Sequence, residues 1–195
     1  MENLNITKSQ ADALIEKYIT DPRTKLHSIE SEAIMQKLAA HFGEDKEKWG
    51  IIGLLHDIDW DLTKNNTLEH CAKAIEILKG AGASDFLIET VISHGYGNNK
   101  CGAPQDKQRI TRLQHSLAAA ETLTGLIIAS TLMTEDKKLS SLSLESLKKK
   151  FNNKKFAANC NREIILECEK AGIPLNDFLK IGLEALQGIS QKLGL

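Results

Sequence analysis

The stretch GIIGLLHDIDWD, Gly50 to Asp61, runs an apolar segment directly into His56, Asp57, Asp59 and Asp61. An imidazole nitrogen beside carboxylate oxygens is a donor set for a divalent transition metal such as Zn, Mn, Fe or Co, and suits Ca poorly. On a regular helix the side chains of adjacent residues diverge by about 100°. His56 and Asp57 can therefore turn to one cation only where a helix ends. They have company: His27, His70, His94 and Glu121 each fall at a predicted helix terminus or on an inner helix face. Asp59 is expected to cap a turn at the surface, with the orientation of a ligand histidine as the alternative. Asp61 is expected to be structural. His41 and His115 are expected at the surface or its boundary.

The elements that must position these groups read as helices throughout, because helical periodicity dominates, prolines are few and no period-two strand is visible. Ser28 to Phe42 carries Ile34, Leu38 and Phe42 on one row, with Gly43 as its stop. Lys46 to Leu55 is a second helix, which places His56 and Asp57 at its end. The spacing predicts a third helix over Thr67–Lys79, opened by an Asn66–Glu69 capping pair, with His70 in its first turn. A fourth runs over Asp85–His94 with Ser84 as cap. After the loop GYGNNKCGAPQDK, a long helix spans about Gln108 to Met133, and Glu121 lies on its small-residue face, where a carboxylate needs a partner. The last amphipathic helix carries Phe178, Gly182, Ala185, Ile189 and Leu193. The expected architecture is all-α: a bundle over residues 1–140, with residues 141–195 as a C-terminal helical lobe packed on it.

Twenty-five basic against 26 acidic side chains give a net charge of -1. No general attraction to nucleic acid or anionic membranes follows. Cys71, Cys101, Cys160 and Cys168 show no Cys-x-x-Cys spacing, and MENLNITKSQ has neither the basic nor the apolar segment of a signal peptide. A reduced, cytoplasmic protein is expected. Apolar runs such as LTGLIIA fall short of the roughly 20 residues that span a bilayer. Lys148, Lys149, Lys150, Lys154, Lys155 and Arg162 read as a solvated face, with guidance of a phosphorylated substrate as the alternative.

In the order His27, His56-Asp57, His70, His94 and a late acidic residue, with LHSIESEAIMQKLAAHFG, GLLHDID and AAAETLTGLIIA as successive signatures, the chain resembles the HD superfamily of metal-dependent phosphohydrolases. The resemblance runs from about Leu26 to Ala129, and the tail DKKLSSLSLESLKKKFNNKKFAANCNREII is similar to that of an uncharacterised bacterial branch. It implies an HD-domain helical bundle. It makes His27, His56, Asp57 and residue 121 the core metal ligands, and His70 and His94 the extra pair of members that hold two metals. The family pattern has aspartate where this chain has Glu121.

The reaction so implied is hydrolysis of a phosphoester or phosphoanhydride, with a small phosphorylated substrate such as a nucleotide and one or two divalent ions (Mn, Fe, Co, Ni or Zn). Asp57, with two oxygens, is the natural bridge between two ions. Arg23 and Lys25, just ahead of His27, are candidates for stabilising phosphoryl charge. Two other readings stay open: a di-iron oxygenase on the same ligands, and a non-catalytic nucleotide-binding module.

Overall fold

The computed structural model describes residues 2–195, and all regular structure among them is helical. The helices run in chain order as α1 (Lys8–Tyr18), α2 (Pro22–Phe42), α3 (Lys46–Leu55), α4 (Trp60–Thr63), α5 (Ala72–Gly80), α6 (Asp85–Ile92), α7 (Arg112–Thr131), α8 (Leu144–Asn152), α9 (Arg162–Ile165), α10 (Glu167–Lys170), α11 (Leu175–Gln187) and α12 (Ser190–Leu193). None of the described helices is long and apolar enough to cross a membrane. The all-α expectation holds.

Local chemistry sets the boundaries. Asp45 caps α3 by accepting from the Lys48 N–H, so that helix starts where the sequence places it. α2 starts at Pro22, well ahead of Ser28. Asp21 accepts from the Arg23 N–H, and Pro22 occupies the first turn, where its fixed φ fits and its missing N–H costs nothing. α1 has no counterpart in the sequence expectations, although Thr7 and Gln10 form a reciprocal capping box at its start. The same device, Thr111 with Gln114, starts α7 at Arg112 and not at Gln108.

The predicted Thr67–Lys79 helix is corrected. Thr67–Glu69 is one 3₁₀ turn, and α5 begins only at Ala72. Asn66 donates its amide to the Glu69 carboxylate at 2.8 Å, so it does not cap the backbone. The cap comes from outside the segment: Asp59 Oδ2 accepts from the Ala74 N–H at 3.0 Å. His70 therefore stands ahead of the helix. α6 likewise stops at Ile92, and His94 lies in the 3₁₀ turn Ser93–Gly95.

One apolar cluster runs from Leu4 to Leu193 and joins α2, α3 and α7 to Phe178, Leu179, Leu183 and Leu186 of α11. The glycines of GIIGLL explain how close α2 and α3 lie. A Cβ at Gly53 would stand 2.7 Å from the Ser31 carbonyl oxygen and 2.9 Å from Met35 Cγ. The helix carrying His27 is thus brought against the helix that ends at His56.

Polar ties fix the remaining segments. Arg109 makes a two-pronged ion pair with Glu167, both contacts 2.7 Å, and donates through Nη1 to the carbonyls of Ser93, His94 and Tyr96. His115 is buried, not at the surface as expected, because its Nδ1 lies 2.7 Å from Glu167 Oε2. Arg162 is part of no free basic patch: its guanidinium donates to the carbonyls of Lys150, Phe151, Phe156, Ala157 and Cys160. His41 is exposed, as expected. Asp61 is structural: it accepts from the N–H groups of Thr20 and Asp21 at 2.7 Å each and from the Thr24 hydroxyl at 3.0 Å. Its burial works against the charge, but the hydrogen bonds from Asp21, Thr20 and Thr24 win and hold the carboxyl down at about 2.

Two outcomes follow for stability. Arg109→Ala leaves the Glu167 carboxylate buried with only His115 beside it, and equilibrium unfolding in urea should register a loss of about 3–5 kcal/mol; a change within error would mean the strap is ornamental. Asp61→Asn should cost about 2 kcal/mol at neutral pH, from a folded value near 2 against an ordinary 3.8. Because the folded pKa is depressed, that contribution is full above the unfolded value and fades as pH falls through the folded one. Unfolding curves of the two proteins should converge between about pH 4 and pH 2. A gap independent of pH would contradict the assignment.

Candidate metal centre

Three helix ends and one helix face deliver the four histidines to one point. His27 projects from α2, His56 is the cap of α3, His70 precedes α5 and His94 follows α6. Asp57 stands at their centre. Its Oδ2 lies 3.7 Å from His27 Nε2 and 3.5 Å from His56 Nε2, and its Oδ1 lies 3.5 Å from His70 Nε2 and 3.4 Å from His94 Nε2. Within each pair the imidazoles meet nitrogen to nitrogen, at 3.1 Å for His27–His56 and 3.0 Å for His70–His94.

The opposite edge of every ring is committed. His56 Nδ1 donates to the Gly53 carbonyl at 2.8 Å and His94 Nδ1 to the Val91 carbonyl at 2.7 Å. His70 Nδ1 donates to Asp59 Oδ1 at 2.8 Å. His27 Nδ1 donates to the Thr124 hydroxyl at 3.0 Å, since that hydroxyl gives its own hydrogen to the Glu121 carbonyl at 2.7 Å. A neutral imidazole carries one N–H, so all four present an Nε2 lone pair inward. Two lone pairs about 3 Å apart repel unless a proton or a cation lies between them. His56 will not take the proton, because burial pushes it down to about 3. Burial also pulls on His94, but the hydrogen bond and charge of Asp57 lift it to about 9. Asp57 itself is held well below the carboxylate range: burial opposes the charge, and His56, His94 and His70 outweigh it. In the metal-free chain, a proton at His94 relieves only one of the two pairs. The nitrogen and carboxylate donors fit one or two divalent transition metals, and the orphaned lone pairs are the structural sign of that fit.

The cluster forms the floor of a cavity of about 950 Å³. Glu121 lines this cavity, half-buried, with Oε1 accepting from the Thr122 hydroxyl at 2.6 Å. It is not among the donors gathered tightly around Asp57. Burial pushes its carboxyl up from the ordinary value, and His94 and His27 pull the other way. Arg23 and Lys25 do not reach the cavity: Arg23 is exposed on the first turn of α2, and Lys25 pairs with Glu16 of α1. The cavity's exposed cations are instead Lys100 and Lys170.

Other participants were read in the sequence only as an alternative or not at all, and for Asp59 the alternative, orientation of a ligand histidine, is the one that holds. Asp59 is fully buried, not a surface cap, and one carboxylate both aims His70 and caps α5. The HDID spacing was its available signal. Thr124 sits one helical turn past Glu121, the position that could have shown it. The outer wall, with Asn159, Asn161, Glu163 and Lys170, comes from the C-terminal segment, and a run of polar turn residues carries no signal for that role.

No curated protein and no solved structure matches the chain. A family model does: that of the HD domain matches residues 25–125, just over half the chain, a span that takes in every histidine around Asp57 as well as Asp59, Glu121 and Thr124. With a matching helical fold and the histidine–aspartate pair at the end of α3, this chain belongs to the HD-domain family.

Proposed function

We propose that the protein is a metal-dependent phosphohydrolase acting on a small phosphoester or phosphoanhydride of nucleotide size. The observation that carries this reading is the two pairs of imidazole lone pairs set against the two oxygens of Asp57 at the floor of the cavity. His27, His56 and Asp57 would hold one ion, and His70, His94 and Asp57 a second. Divalent metal there supplies an activated water and neutralises phosphoryl charge.

The chain's own residues account for the rest. Asp57 offers one oxygen to each half, and its depressed pKa keeps it ionised throughout the neutral range. The Gly53 and Val91 carbonyls, Asp59 and Thr124 fix each ring and its tautomer, so little reordering is needed when ligands bind. Glu121 is the further carboxylate available from the α7 wall. Lys100 and Lys170 at the rim suit an anionic substrate, and Trp60 and Tyr96 give the cavity apolar faces. Its volume exceeds what inorganic phosphate needs and falls in the range of roughly 300–1,000 Å³ typical of small-molecule sites.

Phosphate release should be measured across nucleotides and sugar phosphates with Mn, Co and Fe. Activity is expected with at least one pairing, and His56→Ala should abolish both activity and bound metal. Undiminished metal in that variant, or oxygen uptake by the iron-loaded protein without phosphate release, would overturn the reading, the latter in favour of an oxygenase. Asp59→Ala frees the His70 ring and should lower metal affinity about 10–100-fold in competition with a chelator. An unchanged affinity would show that His70 needs no such partner.

A further inference from the structure

The two halves of the centre differ in what else stands beside them. The His27–His56 half meets α7 through the Thr124 hydroxyl. The His70–His94 half has a sulfur: Cys71 Sγ lies 3.9 Å from His94 Nε2, and one ligand atom from each of His70, Cys71 and His94 falls within 4.8 Å of the others. Cys71 is completely buried. Both imidazoles are nine-tenths buried, and their Nε2 atoms face each other 3.0 Å apart with the Cys71 sulfur alongside.

We propose that Cys71 is a thiolate ligand of the cation position between His70 and His94, an inference that rests on the metal reading above. The backbone brings the sulfur there by close approach. A Cβ on Gly95 would stand 2.8 Å from Cys71 Sγ and 2.9 Å from Cys101 Sγ, so only glycine lets the His94 turn close over both. The two sulfurs are not equivalent. Cys101 Sγ sits 3.4 Å from the carbonyls of Gly95 and Asn98, whereas Cys71 Sγ is the sulfur that reaches His94 Nε2. Its hydrogen bond to Cys101 and its burial push the Cys71 thiol up, and a cation between the imidazoles is what would draw that proton off. Around a tetrahedral zinc, bond lengths of about 2.3 Å to sulfur and 2.0–2.1 Å to nitrogen separate the two donors by roughly 3.5 Å, close to the observed spacing.

On ligation the Cys71 S–H bond breaks, its electron pair forms the sulfur–metal bond, and the proton leaves through the cavity to solvent. No electron is exchanged. A thiolate makes this half softer than the other, so it should favour Zn, Co or Fe(II) over Mn. The centre would then hold two unlike positions joined by Asp57.

The test is a cobalt(II) titration of the metal-free full-length protein, read by absorption. Thiolate-to-cobalt charge transfer in the near ultraviolet is expected in the wild type, retained in Cys101→Ser and Cys160→Ser, and lost in Cys71→Ser and Cys71→Ala. Zinc should also outcompete manganese at least tenfold less well in Cys71→Ser. Cobalt binding without the band, or a band that survives in Cys71→Ser, overturns the proposal while leaving the metal reading intact. Absence of any cobalt binding overturns both. Should the Cys71 variants fail to fold, the wild-type spectrum with Cys101→Ser, Cys160→Ser and Cys168→Ser still decides, because a band kept in all three leaves Cys71 as its source and loss in any one assigns the sulfur elsewhere.

Discussion

Four imidazole nitrogens converge on the two oxygens of one nearly buried aspartate, and each facing pair needs a proton or a cation between its nitrogens. The rest of the molecule is organised around holding that arrangement. Left alone, the rings would rotate to find donors, and the chain prevents this by occupying every outward nitrogen with a carbonyl, a carboxylate or a hydroxyl. The glycines of GIIGLL serve the same end, because without the close crossing of α2 and α3 the His27 and His56 rings could not meet.

The same constraint reaches outside the span matched by the family. Arg109 binds the three carbonyls of the His94 turn with one nitrogen and Glu167 of α10 with two others. The turn that carries a centre histidine and the helix that borders the outer wall are thereby parts of one rigid unit. Residues 159–170, held in turn by Arg162, form a wall of the cavity. The C-terminal helices share the apolar cluster of the bundle, so their packing and the shape of the cavity are set together.

What could be read from the sequence, and what could not, divides along the reach of each interaction. The helix ending at His56 was legible because Asp45 and an apolar run mark it locally. His27 and His70 could be named but not aimed, since each ring's direction depends on a partner in another segment. Asp59 shows the limit well: its two contacts are 11 and 15 residues away. The misplaced start of α5 has the same origin. Asn66 and Glu69 have the spacing of a capping pair, yet they bond to each other, and Cys71 takes a φ of 69° that no residue type other than glycine advertises. His115 was misplaced for want of Glu167, which is 52 residues distant.

The central claim is that Asp57 presents one oxygen to each of two cation positions. Anomalous diffraction from crystals grown with manganese and with cobalt tests it directly. Two anomalous peaks flanking Asp57, one on the His27–His56 side and one on the His70–His94 side, are the predicted result. A single peak, with the other pair of imidazoles bonded to protein groups alone, would contradict it.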